Sequence, residues 1–315
     1  MKRVLVTGGA GFIGSNFIVK SLQDKPDLEI TVLDALTYAG KRTNLVPVLD
    51  KIRFVEGNIQ DSALVDQILE GQDLIVHFAA ESHNDNSLLN PQLFVNTNVL
   101  GTSNLITAAV KHDVRFHHIS TDEVYGDLPL ESTDKFTEDT PYNPSSPYSS
   151  SKAASDMLVR AWVRSFGLRA TITNCSNNYG PNQHSEKLIP NTISHILAGK
   201  KPPVYGNGKN VRDWIHVDDH TDGVWAAIER GSIGETYLLG ANNERSNLDV
   251  VRQILVELNK DPDWIEFVED RPGHDLRYAI NASKAKRELG WQAKHTEFVG
   301  NISEIVSGFS RQRPT

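Results

Sequence analysis

Residues 3–14 read Arg3-Val-Leu-Val-Thr-Gly-Gly-Ala-Gly-Phe-Ile-Gly14, a short apolar run followed by closely spaced glycines. The run predicts a first β-strand, and a helical pattern begins directly after the glycines. Gly8 permits the tight turn, Gly11 lets a pyrophosphate approach the backbone at the helix N-terminus, and Gly14 allows the helix to pack closely on the strand. The stretch therefore predicts the first turn of a dinucleotide-binding α/β fold.

The first half of the chain continues as alternating strands and helices, which is typical of a parallel sheet covered on both faces. Strands are predicted at 3–6, 29–33, 52–55, 74–77, 116–120 and 170–174, and helices at 12–23, 61–69, 91–111 and 147–166. Polar loops containing glycine and proline dominate after residue 174, and such loops form ligand walls. We predict a Rossmann-type doubly wound parallel sheet in residues 1–175, with a return segment at about 211–228. Residues 176–210 and 229–315 are predicted to form a smaller, mixed α/β substrate-binding lobe.

Composition limits the classes of partner. The 315 residues are 39% hydrophobic and 23% charged with a formal charge of −8, which disfavours broad attraction to nucleic acid or acidic lipid. The single cysteine, Cys175, excludes an intrachain disulfide, and no apolar run approaches the roughly 18 residues of a membrane helix. We expect a cytoplasmic protein with no nucleic-acid or membrane partner. His117 and His118 would point to opposite faces of a strand, so no metal site is predicted.

Asp34 closes the predicted second strand, 20 residues after Gly14. A carboxylate at this point can accept hydrogen bonds from both ribose hydroxyls of an adenosine and repel a 2′-phosphate. The position therefore predicts NAD rather than NADP as the cofactor.

Tyr148 and Lys152 lie one turn apart at the predicted start of a helix, so their side chains share a face. A nearby ammonium and the positive end of the helix dipole both favour a phenolate, which predicts a lowered pKa for Tyr148. The phenolate would accept the proton of a sugar hydroxyl. A second Tyr-x-x-x-Lys string at 205–209 contains a turn sequence, so its side chains need not share a face.

Thr121, Asp122 and Glu123 follow the predicted fifth strand. Thr121 is placed to donate a hydrogen bond to the sugar oxygen whose proton Tyr148 would accept. Neighbouring carboxylates repel each other, so one can stay protonated as an acid while the other acts as a base. The pair suits elimination of water next to a newly made ketone, and the sequence leaves open which of the two is the acid.

Eight motifs resemble a known family over essentially the whole chain. They are residues 7–14, 34–40, 120–126, 148–152, 174–181, 186–190, 211–214 and 271–274. On these motifs the sequence resembles the extended short-chain dehydrogenases/reductases, in particular the members that dehydrate nucleotide sugars such as dTDP-glucose. The resemblance implies oxidation at C4, elimination of water across C5 and C6, and return of hydride to C6, with NAD retained throughout. It also implies a homodimer paired through helices 91–111 and 147–166.

The resemblance also implies roles for individual residues. Tyr148 would take the O4 proton, Glu123 the C5 proton, and Asp122 would protonate the departing O6. The implied catalytic set is Thr121, Asp122, Glu123, Tyr148 and Lys152. The implied cofactor contacts are Gly8, Gly11, Phe12, Ile13, Gly14, Asp34, Leu36, Thr37, Asn58, Ile59, Ala79, Ala80, Tyr148 and Lys152. The implied substrate contacts are Ser82, Thr121, Asn177, Asn178, Lys187, Leu188, Tyr205, Arg212, Asn247, Arg271 and His274, whose basic members would clamp a pyrophosphate.

The chain departs from the family pattern at three places. Residues 84–86 read Asn-Asp-Asn where the family usually has Val-Asp-Arg, Asn58 replaces an aspartate, and Asn182 stands where an aromatic residue is common. We expect these changes to alter affinity or substrate tolerance and to leave the chemistry intact.

Two kinds of alternative remain open. One is another nucleotide-sugar enzyme of the same fold, such as a UDP-sugar 4,6-dehydratase, a 4-epimerase or a decarboxylase. An epimerase needs no elimination acid and base, so the Asp122–Glu123 pair counts against it. The other is a NAD-sensing binding protein without catalytic activity, which the presence of Thr121, Tyr148 and Lys152 disfavours.

Overall fold

The chain folds around a large parallel sheet, and the computed structural model describes residues 1–270 and 272–311. The described strands are β1 (Arg3–Thr7), β2 (Glu29–Asp34), β3 (Ile52–Glu56), β4 (Leu74–His77), β5 (Arg115–Thr121), β6 (Ala170–Cys175), β7 (Asn177–Tyr179), β8 (Pro203–Tyr205), β9 (Val211–His216), β10 (Thr236–Leu239), β11 (Glu244–Ser246) and β12 (Glu266–Val268).

Helices cover both faces of that sheet and the smaller sheets beside it. They are α1 (Phe12–Asp24), α2 (Ser62–Leu69), α3 (Asn84–Leu89), α4 (Pro91–Phe94), α5 (Thr102–Lys111), α6 (Pro147–Phe166), α7 (Leu188–Leu197), α8 (Val217–Arg230), α9 (Asn247–Glu257), α10 (Ser283–Leu289) and α11 (Phe298–Arg311). Two 3₁₀ segments span Arg42–Lys51 and Asp122–Tyr125. Within the described ranges, no helix combines the length and the apolar character needed to cross a membrane.

Seven strands form the large sheet in the order β10-β6-β5-β4-β1-β2-β3, and each neighbouring pair is parallel. The strand order reverses between β1 and β4, and open α/β sheets bind ligands in the crevice at such a point. A smaller mixed sheet pairs β9 antiparallel with β11 and parallel with β7. The predicted doubly wound parallel sheet with a smaller mixed lobe is therefore confirmed.

Apolar side chains cover both faces of the large sheet. On one face, Phe17 of α1 stacks on Trp225 of α8 with ring centroids 5.4 Å apart. On the other face, Leu105 of α5 and Val159 of α6 are fully buried in one cluster with Phe116 of β5. Burial on both faces explains why the strands read as continuous apolar runs, and each large side chain so buried contributes about 1.5–3 kcal/mol.

Helix α6 begins where the sequence predicts, because Ser146 caps its first turn. The Ser146 hydroxyl accepts a hydrogen bond from the Ser149 N–H, and the Ser149 hydroxyl accepts one from the Ser146 N–H. Pro147 supplies the backbone angle of the first helical position, and Gly167 ends the helix in a left-handed conformation. Tyr148 is therefore held in the first turn of the helix.

Residues 211–228, which the sequence predicts to return to the first domain, lie in two different parts of the fold. Strand β9 belongs to the small sheet, whereas α8 packs on α1 and β10 forms an edge of the large sheet. The sequence had assigned β10 to the smaller lobe. This strand has four residues and pairs with β6, far away along the chain, so no local pattern reveals the sheet to which it belongs. The lobe limits otherwise stay a prediction.

The helix predicted at 91–111 is interrupted by a π-helical segment, Val95–Gly101, between α4 and α5. A π turn bulges the backbone, and such bulges are frequent at functional sites. The carbonyl oxygen of Asn98, inside this segment, accepts a hydrogen bond from Ser155 Oγ of α6 at 2.6 Å. The prediction of one regular α-helix was wrong here because the bulge is stabilised by a neighbouring helix.

Candidate active site

A cavity of about 500 Å³ lies along the carboxyl edge of the large sheet, at the point between β1 and β4 where the strand order reverses. The predicted residues that line it are Gly8, Gly11, Phe12, Ile13, Gly14, Asp34, Thr37, Asn58, Ile59, Ala79, Ala80, Ser82, Thr121, Asp122, Glu123, Tyr148, Lys152, Asn177, Asn178 and Lys187. The structure thus brings all five predicted catalytic residues into the same cavity as most of the predicted cofactor contacts.

Several predicted contacts lie outside the lining of this cavity. They are Leu36, Leu188, Tyr205, Arg212, Asn247 and His274. Arg271 lies outside the described residues. The Tyr205 side chain is 41% exposed and its ring meets His274 edge-on at 6.4 Å, so these two predicted substrate contacts are near each other but not at the cavity wall.

The glycine turn after β1 leaves no room for larger residues. Gly8 has φ +68°, and a Cβ there would lie 2.5 Å from the Ala79 backbone nitrogen. A Cβ at Gly14 would lie 2.4 Å from the Gly8 carbonyl oxygen. Helix α1 begins after Gly11 without a side-chain cap, which leaves its first N–H groups available to an anion. These residues fit the pyrophosphate of a dinucleotide.

Asp34 is fixed at the end of β2 by the backbone of this turn. Its Oδ2 accepts a hydrogen bond from the Ala10 N–H, and its Oδ1 accepts one from the Leu36 N–H, both at 2.8 Å. Burial raises the pKa of the Asp34 carboxyl. Each carboxylate oxygen can accept further hydrogen bonds, so ribose hydroxyls fit the site. Leu36 therefore acts through its N–H on Asp34 instead of touching the cavity.

The environment of Tyr148 differs from the sequence expectation. Burial, followed by the charge of Glu123, holds the pKa of the Tyr148 phenol well above its ordinary value, although a hydrogen bond with Thr121 works in the opposite direction. Lys152 Nζ donates to the Ile119 carbonyl oxygen at 2.7 Å, and burial lowers the pKa of this lysine. The pKa of Tyr148 therefore differs in direction from the sequence expectation, because burial of the phenol is the largest influence on it.

The acid pair sits on a short turn that Thr121 caps at the end of β5. The Thr121 hydroxyl accepts from the Glu123 N–H and donates to Asp122 Oδ1, each at 3.3 Å. Asp122 is 1% exposed, and burial followed by the charge of Glu123 raises its pKa well above the ordinary value. Its Oδ2 is buried without a hydrogen-bond partner. The arrangement favours Asp122 as the protonated acid and the more accessible Glu123 as the base.

A buried network behind Lys152 was not identified from the sequence. Asp156, one turn further along α6, accepts hydrogen bonds from Ser120 Oγ at 2.9 Å and from the Tyr142 hydroxyl at 2.8 Å. It also lies 3.1 Å from His118 Nε2. Burial opposes the charged form of Asp156, but His118, Lys152 and Ser120 together lower the pKa of this carboxyl. Its negative charge in turn favours the charged form of Lys152.

His117 points to the opposite face of β5, as predicted. Its Nδ1 is hydrogen-bonded to Thr171 Oγ1 at 2.8 Å, on the side away from the Asp156 network. The two adjacent histidines therefore do not share one ligand.

Asn177 and Asn178 have different roles in the structure. The Asn178 amide donates to the Ser176 carbonyl oxygen at 3.0 Å, and its oxygen is hydrogen-bonded to His220 at 2.8 Å. The Asn177 side-chain oxygen is buried without a partner. Asn177 is therefore the better candidate for a direct ligand contact, and Asn178 shapes the wall.

The predicted pyrophosphate clamp is only partly assembled. Lys187 lines the cavity and donates to the Ser82 carbonyl oxygen at 2.9 Å. The Arg212 guanidinium instead donates to the Asp275 carbonyl oxygen at 2.9 Å and lies 4.1 Å from the Tyr278 ring centroid. Backbone carbonyls and an aromatic face thus satisfy this arginine, which sequence spacing does not reveal.

The departures from the family pattern also have structural explanations. Asn182 has φ +65°, a left-handed conformation that asparagine adopts more readily than an aromatic residue. The Asn58 side-chain oxygen accepts a hydrogen bond from the Gln60 N–H at 2.9 Å. Asn84 donates from its side-chain amide to Glu123 Oε2 at 2.9 Å, a contact with the acid pair that sequence reasoning missed.

A family model, sequence relatives and solved structures all match this chain over nearly its whole length. A family model described as GDP-mannose 4,6 dehydratase matches residues 5–303. The dTDP-glucose 4,6-dehydratase of Mycolicibacterium smegmatis is 57% identical over 98% of this chain and 93% of its own length. The structure of DesIV, a dTDP-glucose 4,6-dehydratase from Streptomyces venezuelae with NAD and TYD bound, has a TM-score of 0.95 and 45% identity, covering 99% of this chain and 98% of that one.

A second solved structure supports the assignment. The dTDP-glucose 4,6-dehydratase of Bacillus anthracis in complex with NAD has a TM-score of 0.91 and 44% identity, covering 99% of this chain and 97% of that one. The family model and these relatives span nearly the whole chain, including both lobes and the acid pair. The chain therefore belongs to the family described as GDP-mannose 4,6 dehydratase, and within it to the dTDP-glucose 4,6-dehydratases.

Proposed function

We propose that this chain is a hydro-lyase that converts dTDP-glucose to dTDP-4-dehydro-6-deoxyglucose with NAD as its cofactor. One observation carries the proposal: the neighbouring carboxyl groups of Asp122 and Glu123 stand in the same cavity as Tyr148 and Lys152, and burial raises the pKa of Asp122. A simple dehydrogenase or a 4-epimerase needs the tyrosine and the lysine but has no use for the acid pair.

Residues at the carboxyl edge of the large sheet hold the cofactor, and Asn177, Asn178 and Lys187 line the same cavity from the later part of the chain. The glycine turn receives the pyrophosphate, and Asp34 receives the adenosine ribose and repels a 2′-phosphate. Bound NAD supplies the hydride acceptor for C4 and the hydride donor for C6, so its net oxidation state does not change. Lys152, held by the Ile119 carbonyl, adds positive charge on the Tyr148 side of the cavity.

The side chains divide the proton transfers among them. Tyr148, in its phenolate form, takes the proton of O4 as C4 becomes a ketone, and Thr121 orients that oxygen. Burial opposes the phenolate form, and the positive charge of Lys152 favours it. The ketone acidifies C5, and Glu123 removes the C5 proton while the released electron pair forms the C5–C6 double bond. The C6–O bond breaks and O6 leaves as water with the proton of Asp122. C5 then regains a proton from the Glu123 side as C6 is reduced.

The proposal is tested by incubating the purified protein with dTDP-glucose. We expect a product lighter by one water, the alkali-induced absorbance of a 4-keto sugar, and no net formation of NADH. UDP-glucose in a parallel reaction tests the choice of base. Loss of water from UDP-glucose alone would assign the chain to another nucleotide-sugar dehydratase, and binding of both without turnover would favour a NAD-sensing protein.

We also propose that the protein works as a homodimer in the cytoplasm. Leu100 of the π segment and Met157 of α6 are 56% and 52% exposed, on the two helical stretches that the family resemblance assigns to a dimer interface. The π segment and α6 pack against each other, and a contiguous exposed apolar patch is typical of an interaction surface. The single cysteine fits a reducing compartment, because it forms no intrachain disulfide.

Replacing both Leu100 and Met157 by lysine is expected to convert the dimer to a monomer. Lysines at both positions would place two charges in the proposed interface, and desolvating them on association is unfavourable. Light scattering should report about twice the 35.0 kDa chain mass for the parent protein and one chain mass for the variant. Val256→Lys on α9, where the valine is 51% exposed, is the matched control and should stay dimeric. A monomeric parent protein would contradict the proposal.

A further inference from the structure

Asn84 links the base of the proposed reaction to the helix that carries Tyr148. Its Nδ2 donates to Glu123 Oε2, and its Oδ1 accepts from Ser146 Oγ, both at 2.9 Å. Ser146 is the N-cap of α6. Because only the amide nitrogen can donate to a carboxylate and only the amide oxygen can accept from the hydroxyl in this arrangement, the two contacts fix the orientation of the amide.

The backbone around Asn84 is also fixed. Asn84 is the first residue of α3, and His83 caps that helix by accepting a hydrogen bond from the Asn86 N–H at 3.1 Å. The Ser87 hydroxyl donates to the Asn84 carbonyl oxygen at 2.6 Å. The amide is therefore presented to Glu123 from a defined position, at a side chain that is itself only partly exposed.

We infer that Asn84 is a positioning residue that orients Glu123 for removal of the C5 proton, an inference that rests on the proposed function. A hydrogen bond to Oε2 leaves Oε1 as the oxygen that takes the proton. In that step the C5–H bond breaks, an Oε1–H bond forms, and the electron pair forms the C5–C6 double bond as O6 leaves with the proton of Asp122. The hydrogen bond from the Asn84 amide is stronger while the Glu123 carboxylate is charged, which is the form that accepts the proton.

Valine, the residue that the family resemblance predicts at this position, has no donor and cannot make this contact. The departure at Asn84 therefore adds a hydrogen bond to Glu123, whereas the sequence alone predicted only altered affinity or substrate tolerance from residues 84–86. Asn86, the other departure, also lies outside the cavity lining but is exposed where Asn84 is partly buried, so it serves as a matched comparison.

The test measures kcat, KM and the kinetic isotope effect with dTDP-glucose carrying deuterium at C5. For Asn84→Val we expect kcat to fall about 5- to 30-fold, the C5 isotope effect to rise, and KM to stay near the parent value. Asn84→Asp keeps the shape and the Ser146 contact but places a second carboxylate beside Glu123, so we expect a larger loss with the same rise. Asn86→Arg should retain the parental kcat and C5 isotope effect.

The isotope effect separates positioning from a structural defect. A general loss of folded enzyme lowers kcat without making C5–H cleavage more rate-limiting. Parental kcat and isotope effect in Asn84→Val would overturn the inference, and so would a reduced kcat with an unchanged isotope effect. If Asn84→Val does not fold, kcat and the C5 isotope effect of the isosteric Asn84→Asp variant test the inference instead. A parent protein that does not dehydrate dTDP-glucose would overturn the proposed function instead.

Discussion

Replacing Tyr148 by phenylalanine is expected to lower the turnover of dTDP-glucose by about 10²- to 10⁴-fold, the usual contribution of a positioned proton-transfer group. The substitution removes only the phenolic oxygen. The ring is buried and meets Phe94 edge-on at 6.3 Å, and a phenylalanine ring fills the same space. The free energy of unfolding and the affinity for dTDP should therefore stay near the parent values, while no group remains to take the O4 proton.

Production of the 4-keto sugar measures this effect, and calorimetric titration with dTDP shows that the site is intact. Tyr237→Phe is the matched control, because Tyr237 is also buried, and its hydroxyl accepts a hydrogen bond from the Ser232 N–H outside the cavity. The control should keep the parental turnover. A Tyr148→Phe variant that retains most of the activity would show that another group accepts the O4 proton.

The sequence predicts the parts of this protein that local pattern determines. The strand, glycine turn and helix of residues 3–24 follow from backbone sterics and the apolar pattern, and the structure confirms them. The Ser146–Pro147 start of α6 follows from capping chemistry and fixes Tyr148 in the first helical turn. Parallel strands then deliver Asp34 and Thr121 to one edge of the sheet.

What depends on contacts between distant segments could not be predicted. Strand β10 joins the large sheet by pairing with β6, and the π segment around Asn98 is held by Ser155 of another helix. The contact of Asn84 with Glu123 joins segments 39 residues apart. The direction of the Tyr148 pKa shift could not be predicted for the same reason. It depends on burial of the side chain in the assembled cavity, which residue spacing does not encode.

Asp122→Asn is expected to lower turnover by about 10²- to 10⁴-fold, the same range as Tyr148→Phe. Asparagine keeps the shape of the side chain and an oxygen for the hydrogen bond from Thr121, but it has no proton to give to O6. The 4-keto sugar assay measures the loss. A variant with parental turnover would show that O6 takes its proton from a different donor, such as water.

Asp122→Asn lowers turnover but is expected to raise the free energy of unfolding relative to the parent protein as pH rises. Burial followed by the charge of Glu123 raises the Asp122 pKa, so between the ordinary carboxyl value of about 3.9 and the raised value the folded state binds more protons than the unfolded state. The parent protein therefore loses stability as pH rises through that window, by about 1.4 kcal/mol per pH unit from this group, and asparagine removes the loss. Urea unfolding from pH 4 to neutral should show the stability of Asp122→Asn rising relative to the parent as pH rises. A difference that stays constant with pH would mean that Asp122 is already ionised in the folded protein, and Glu123 would then have to be reconsidered as the acid.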